Sequence, residues 1–455
     1  MSSAGIRAGS PRLADFAAWV SAGGWRDLIR MAAVCTAAST AGLAIMMPIS
    51  TGWFDAQPQQ VDLMIRSVPR AMEAGAVVAV LATAAIVSLS SSRTAWAATT
   101  VAMLGILVNH AGLPWVDIDS LTTFNFIDSL WAGVILGSLL PVVWQQAITA
   151  GAYLFGCLAS NIMGDLVQSP AVTGPADEFE GMLGGAPPLW LIVLSLALIA
   201  ATVLIRGHLT PLPGPVLISP LAPIISSVVV VLTIAIASRW LADAGHRTTV
   251  IVMAVALVII GAMLAALLLP GRDGVLVLLM VAFSTAASAV ITLPRPWWAD
   301  PLIVAATAVG LLAGWRHPRP YLGVAASGAL SAVAAVLALT VGASVPGAVF
   351  GVVAIGLIGG YNLTSALPTR ATSAIVAIAV LFVPAASAGL RGRSFGRVSY
   401  SPQWYRLSTI TPEPAAGWAS LAIAIGCAAG IHLLYRWRKP APALELHPES
   451  ADSSA

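Results

Sequence analysis

Four ionisable side chains fall where the chain is otherwise too apolar to hold them: Glu73, His110, Asp128 and Asp165. Ionisable groups inside membrane segments are costly, which makes them functional candidates by default. A carboxylate or imidazole so placed can take up and release a proton, so these four are the candidates for proton coupling at an outward-facing vestibule. The structural alternative is that each sits at a helix end in contact with headgroup water. Asp128 is expected in the first turn of its helix, where the N-terminal dipole stabilises an anion without any function. A second set is polar and uncharged: Tyr361, Asn362, Gln145 and Gln146. These are candidates to line a substrate path, although for Asn362 a hydrogen bond to a neighbouring helix is the favoured role.

Other chemistries find less support. Asp117 and Asp119, with Asp55 and Asp62, could face a divalent cation outside the membrane, but carboxylates two residues apart in a loop are ordinary solvated turn residues. No metal, cofactor or catalytic residue is therefore expected. The chain has no G-x-x-x-x-G-K-[ST] phosphate loop and no H-E-x-x-H pair. Cys35, Cys157 and Cys427 are far apart in apolar runs and read as small core residues. The 22 basic residues are scattered in short loops, which argues against nucleic acid as a partner.

The elements that must position these groups follow from composition. With 455 residues, 58% hydrophobic and 9% charged, the chain departs from the roughly 25% charged residues of soluble domains. Apolar runs of about 20 residues satisfy their backbone groups in lipid only as helices. The fold class is thus an all-α polytopic membrane protein of about 14 spans, centred on residues 29–50, 71–90, 94–114, 126–145, 147–167, 188–206 and 215–238. The remainder are 247–270, 274–294, 299–315, 321–342, 345–366, 369–390 and 416–437. The stretch from Phe126 to Val167 has no charged turn at its middle, so 13 spans is the competing count. Gly133 and Gly137, Gly310 and Gly314, and Gly426 and Gly430 are pairs that let helix backbones approach closely.

Short cytoplasmic loops carry excess Arg and Lys. Placing both termini in the cytoplasm puts Arg7, Arg12, Arg26, Arg30, Arg93, Arg206, Arg272, Arg316, Arg319, Arg370, Arg436, Arg438 and Lys439 on that side, 13 of the 22 basic residues. The cluster Arg391, Arg393 and Arg397 would then lie outside, against the rule. Three long outer loops are expected at 51–70, 168–187 and 391–415. The resulting organisation is a cytoplasmic segment 1–28, a helix bundle 29–206, an inserted helix pair 207–270, a second bundle 271–437 and a disordered cytoplasmic tail 438–455. The expected setting is the plasma (inner) membrane.

The layout from 29 to 437 resembles the major facilitator superfamily, in particular its fourteen-helix drug:proton antiporter branch. The first span, Ser39-Thr40-Ala41-Gly42-Leu43-Ala44-Ile45-Met46-Met47-Pro48, is similar to that branch's first-helix motif, with Ser39 where the family has Asp. The fourth span runs from Ser129 through Gly133 and Gly137 to Pro141, with Ser129 in place of the family's Arg. Gly151, Gly156 and Gly164 match part of the glycine-rich antiporter motif of the fifth span. The loop after the second span keeps only Arg93 of the family's basic motif, within Ser90-Ser91-Ser92-Arg93-Thr94.

The resemblance implies two six-helix bundles, spans one to six and nine to fourteen, rocking about a midplane substrate site, with spans seven and eight inserted. It implies a secondary transporter exporting an amphipathic or lipid-like small molecule, with proton coupling moved to Asp128, Asp165 or Glu73. Two alternatives stand beside it: a membrane enzyme resembling lipid-linked glycosyltransferases, and a non-catalytic membrane subunit of a larger assembly.

Overall fold

The structure, a computed structural model, describes residues 24–47, 58–111, 121–167, 187–205, 221–245, 247–290, 297–339, 345–390 and 414–439. Fourteen α-helices and no strand occur among the described residues, and the chain is an integral, multi-pass helical membrane protein. The helices are α1 (Trp25–Met46), α2 (Pro58–Leu89), α3 (Ser92–Ala111), α4 (Leu121–Val143), α5 (Ala147–Val167), α6 (Leu189–Ile205) and α7 (Leu221–Ala244). They continue with α8 (Thr248–Leu268), α9 (Val275–Val290), α10 (Asp300–Arg316), α11 (Pro320–Leu339), α12 (Val345–Ser365), α13 (Ala371–Leu381) and α14 (Pro414–Trp437). Nine stretches in these helices are long and apolar enough to cross a membrane by length and composition. Large exposed side chains such as Leu204, Val252, Phe350 and Ile425 then meet lipid, where apolar exposure carries no cost.

The boundary between the fourth and fifth spans is a turn, Trp144 to Gln146, so the stretch is two helices and the described residues hold fourteen. One expected loop is shorter than its reading. α2 begins at Pro58 rather than near residue 71, because a proline at the first helical position lacks only an N–H that would have no partner there. Pro69 lies inside this helix without ending it.

The helix pairing of α1 to α6 recurs in α9 to α14. α2 packs along α4 as α10 does along α12, and α1 meets α4, α5 and α6 as α9 meets α12, α13 and α14. α3 touches α4 and α6 as α11 touches α12 and α14. Contacts between the two sets also interchange: α2 meets α13 while α5 meets α10. A twofold relation between the two sets has this signature.

The chemistry of the closest pair is repeated as well. A Cβ on Gly133 or Gly137 would collide with the carbonyl oxygens of Gly75 and Ala79 on α2. On the other side, a Cβ on Gly310 or Gly314 would collide with those of Leu357 and Tyr361 on α12. Each seam adds one hydroxyl bond across it, Thr83 Oγ1 donating to the Gly137 carbonyl (3.0 Å) and Thr364 Oγ1 to that of Leu311 (2.8 Å). Gly426 and Gly430 instead pack α14 against Ile259 and Met263 of α8.

α9 and α13 occupy the interior: nearly every residue of each is buried. α13 ends early at Leu381, and the chain resumes as a 3-10 turn, Ala386–Leu390, which packs on α7. Pro384 explains the break, since it offers no N–H to the Val380 carbonyl and its ring crowds the preceding turn.

Candidate functional site

α4 starts at Leu121, so Asp128 lies two turns inside it, beyond the reach of the N-terminal dipole invoked to explain it. The last turn of α3 supplies its partners instead. His110 Nε2 is 2.7 Å from Asp128 Oδ2, and Asn109 Nδ2 donates to Asp128 Oδ1 at 2.6 Å. Asn109 also donates to the Phe124 carbonyl (3.0 Å), which fixes the amide between the two helices. Asp128 is 1% exposed and His110 6%. The arrangement is a buried acid and base in direct contact, oriented by an amide. The pair can exchange one proton between a net-neutral state and a net charge of −1.

The remaining coupling candidates do not join it. Glu73 is half-buried on α2, and the charges facing it are Arg239 of α7 and Arg70 of its own helix. Asp165 falls in the last turn of α5, and its side chain lies outside the described residues, as do Asp55, Asp117 and Asp119 and the cluster Arg391, Arg393 and Arg397. No group of three or more His, Cys, Asp or Glu that could hold a metal ion occurs among the described residues.

The substrate-path candidates lie in one turn and in the last two turns of α12. Gln145 and Gln146 are exposed in the α4–α5 turn, because the helix ends before them, and Gln146 Oε1 accepts from Arg30 at 2.9 Å. Tyr361 is in the last turn but one of α12, its hydroxyl donating to the His317 carbonyl (2.8 Å) at the α10–α11 turn. Asn362 is fully buried and donates to Ser327 Oγ of α11 at 2.9 Å. Gln146, Tyr361 and Asn362 tie helices together near one end of the molecule.

That end holds a network that the sequence did not announce. Arg30 of α1 donates to Gln146 and to the Val142 carbonyl (3.2 Å), holding the α4–α5 turn. Asp273, just before α9, accepts from the backbone N–H of Thr369 (3.0 Å) and from its hydroxyl, holding the α12–α13 turn. The two turns meet where Trp144 Nε1 donates to the Pro368 carbonyl at 3.2 Å. Arg272 and Arg438 each donate to carbonyls at the end of the other's helix, Arg272 to those of Tyr435 and Arg438, and Arg438 to those of Leu267 and Leu269.

Towards the opposite end, Asn161 of α5 donates its amide to the Leu381 carbonyl of α13 and approaches Met46 Sδ of α1 (3.4 Å). Asn109, Asn161 and Trp144 were not singled out by sequence. The signal available for the two amides was their isolation within apolar helices; nothing local marks Trp144.

No protein-family model matches the chain, and no curated protein matches it. Among solved structures, the chain aligns with an auto-inhibited POT family peptide transporter, at 13% identity over 91% of this chain and 97% of that one, with a TM-score of 0.44. It also aligns with a bacterial homolog of the human lysosomal transporter Spinster in an inward-facing, unoccupied conformation, at 13% identity, 90% and 95% coverage and a TM-score of 0.32.

Proposed function

We propose that the chain is a secondary transporter of a small amphipathic or lipid-like molecule, working by alternating access between two helix bundles, 29–206 and 271–437, with 207–270 as an inserted pair. The observation that carries this reading is the recurrence of one helix-pairing scheme in both bundles with interchanged contacts between them. Two like bodies meeting along a twofold can rock about their shared face and open it first to one side, then to the other. The excess of Arg near the end formed by the α4–α5 and α12–α13 turns supports placing that end and both termini in the cytoplasm, in the plasma (inner) membrane.

The buried His110 and Asp128 pair is the proposed coupling site, because a proton carried there changes the charge of a group sealed from water. In proteoliposomes with an imposed pH gradient, gradient-driven uptake from a panel of amphipathic dyes is expected in the parent protein. Asp128→Asn should lower it at least tenfold while leaving dye binding in place. Unchanged uptake in both Asp128→Asn and Asp165→Asn would overturn the coupling assignment.

A further inference from the structure

The interrupted helix α13 is held to the first bundle at two separated points, and both bonds have the same form. At its lower end the Pro368 carbonyl, three residues before the first helical residue, accepts from Trp144 Nε1. At its upper end the Leu381 carbonyl accepts from Asn161 Nδ2. Both carbonyls are free for structural reasons. Pro368 precedes the helix, and Leu381 is its last residue, where the helical partner of its oxygen is lost at the Pro384 break. The helix between them, 11 residues at about 1.5 Å each, separates the two points by about 16 Å along its axis, roughly half the depth of the hydrocarbon layer.

The surroundings differ at the two points. The lower one is braced on both sides: Arg30 holds the turn that carries Trp144, and Asp273 holds the turn that carries Pro368. These are opposite charges in matching places of the two bundles, each anchoring the turn between the fourth and fifth helices of its own bundle. At the upper point Asn161 also donates to Met46 Sδ of α1 at 3.4 Å, and close packing surrounds it. Gly42 of α1 has no Cβ because one would collide with Ser160 beside Asn161 and lie 3.1 Å from the Phe382 ring.

We infer that α13 is a two-point latch: the Trp144 to Pro368 bond closes the molecule at one end, the Asn161 to Leu381 bond closes it at the other, and each can open while the other holds. The inference deepens the transporter reading and rests on it for its purpose, though not for its test. Each latch is a single side-chain donor on a backbone oxygen, a bond weak enough to release within a transport cycle. Breaking one should therefore expose its own end and spare the other.

The test uses the full chain in lipid nanodiscs, with Cys35, Cys157 and Cys427 replaced by alanine and one buried reporter introduced per protein. Ser373→Cys, on the first turn of α13, reports the lower end; Ser160→Cys reports the upper end. Both serines are buried. The probe is a charged maleimide, and the reading is its reaction rate. Trp144→Phe should raise labelling at the Ser373 reporter at least fivefold and leave the Ser160 reporter within twofold. Asn161→Leu should do the reverse, and Asn161→Gln, which retains the amide, should stay near the parent. Asn161→Ser, too short to reach the carbonyl, takes the place of Asn161→Leu should that variant fail to assemble. Labelling that rises at both reporters together, or at neither, overturns the latch. End-specific labelling in a protein that moves no dye supports the latch and counts against the transporter reading alone.

Discussion

Asp128 shows how much a single neighbour decides. A carboxylate two turns inside an apolar helix has no water to lean on, and here an imidazole and an amide from the preceding helix take its place. Removing one partner of a buried, hydrogen-bonded pair strands the other, at a cost of about 3–5 kcal/mol in soluble proteins. His110→Leu should therefore lower the unfolding midpoint in detergent more than His110→Gln, whose amide can still donate to Asp128; equal losses would show that the contact carries no stability. Hydroxyls on the seams are a milder case. Thr83→Val should cost roughly 0.6 kcal/mol, the average for an interhelical hydrogen bond in a membrane, measured by denaturant-driven unfolding in mixed micelles. The sequence exposed His110 and Asp128 because charge stands out in an apolar context. It could not reveal their contact, which depends on how the last turn of α3 meets α4. Nor could it show that Arg30 reaches Gln146 or that the Tyr361 hydroxyl reaches the His317 carbonyl, since hydropathy places a turn or a helix end but not its partners.

Among the elements, the α2–α4 and α10–α12 pairs are set by glycine. Gly137→Val would drive a branched side chain into the Ala79 carbonyl, so about 1–3 kcal/mol of overpacking is expected, with loss of folded protein on size-exclusion chromatography. Gly151→Val should be mild by comparison, because the nearest atom, 3.3 Å from its Cβ, belongs to the Trp315 side chain rather than to backbone. Helix number and most boundaries were legible in advance, because a span must be long and apolar whatever it packs against. The glycine pairs were also visible, but their partners were not: Gly133 and Gly137 face α2, Gly310 and Gly314 face α12, and Gly426 and Gly430 face α8. Periodicity marks a close approach and leaves open to which helix. The break in α13 was hidden for a related reason, since 369–390 reads as one apolar run and only Pro384 hints at the interruption.

Across the whole molecule, α7 and α8 are woven into both sets of helices, α1 to α6 and α9 to α14. α7 packs on α2, α13 and the 3-10 turn, while α8 lies against α9 and α14. Gly389 allows that turn to sit on the backbone of α7 at Ser238 and Ala242, so Gly389→Leu should loosen both bundles at once and raise proteolysis of the loops on either side. Unchanged proteolysis would show that the pair is dispensable to the core. The interior placement of α9 also bears on biosynthesis. Its carbonyl at Thr285 receives hydroxyl bonds from Ser387 and from Ser420, at 3.0 and 2.8 Å, and both donors emerge from the ribosome about a hundred residues or more after it. Until then α9 can wait in lipid, because its backbone groups are satisfied within the helix and the Thr285 hydroxyl donates to its own helix at Val281. The second bundle consequently matures only when the final helix arrives, and a nascent chain released ahead of α14 would leave its most central helix waiting for a neighbour that never comes.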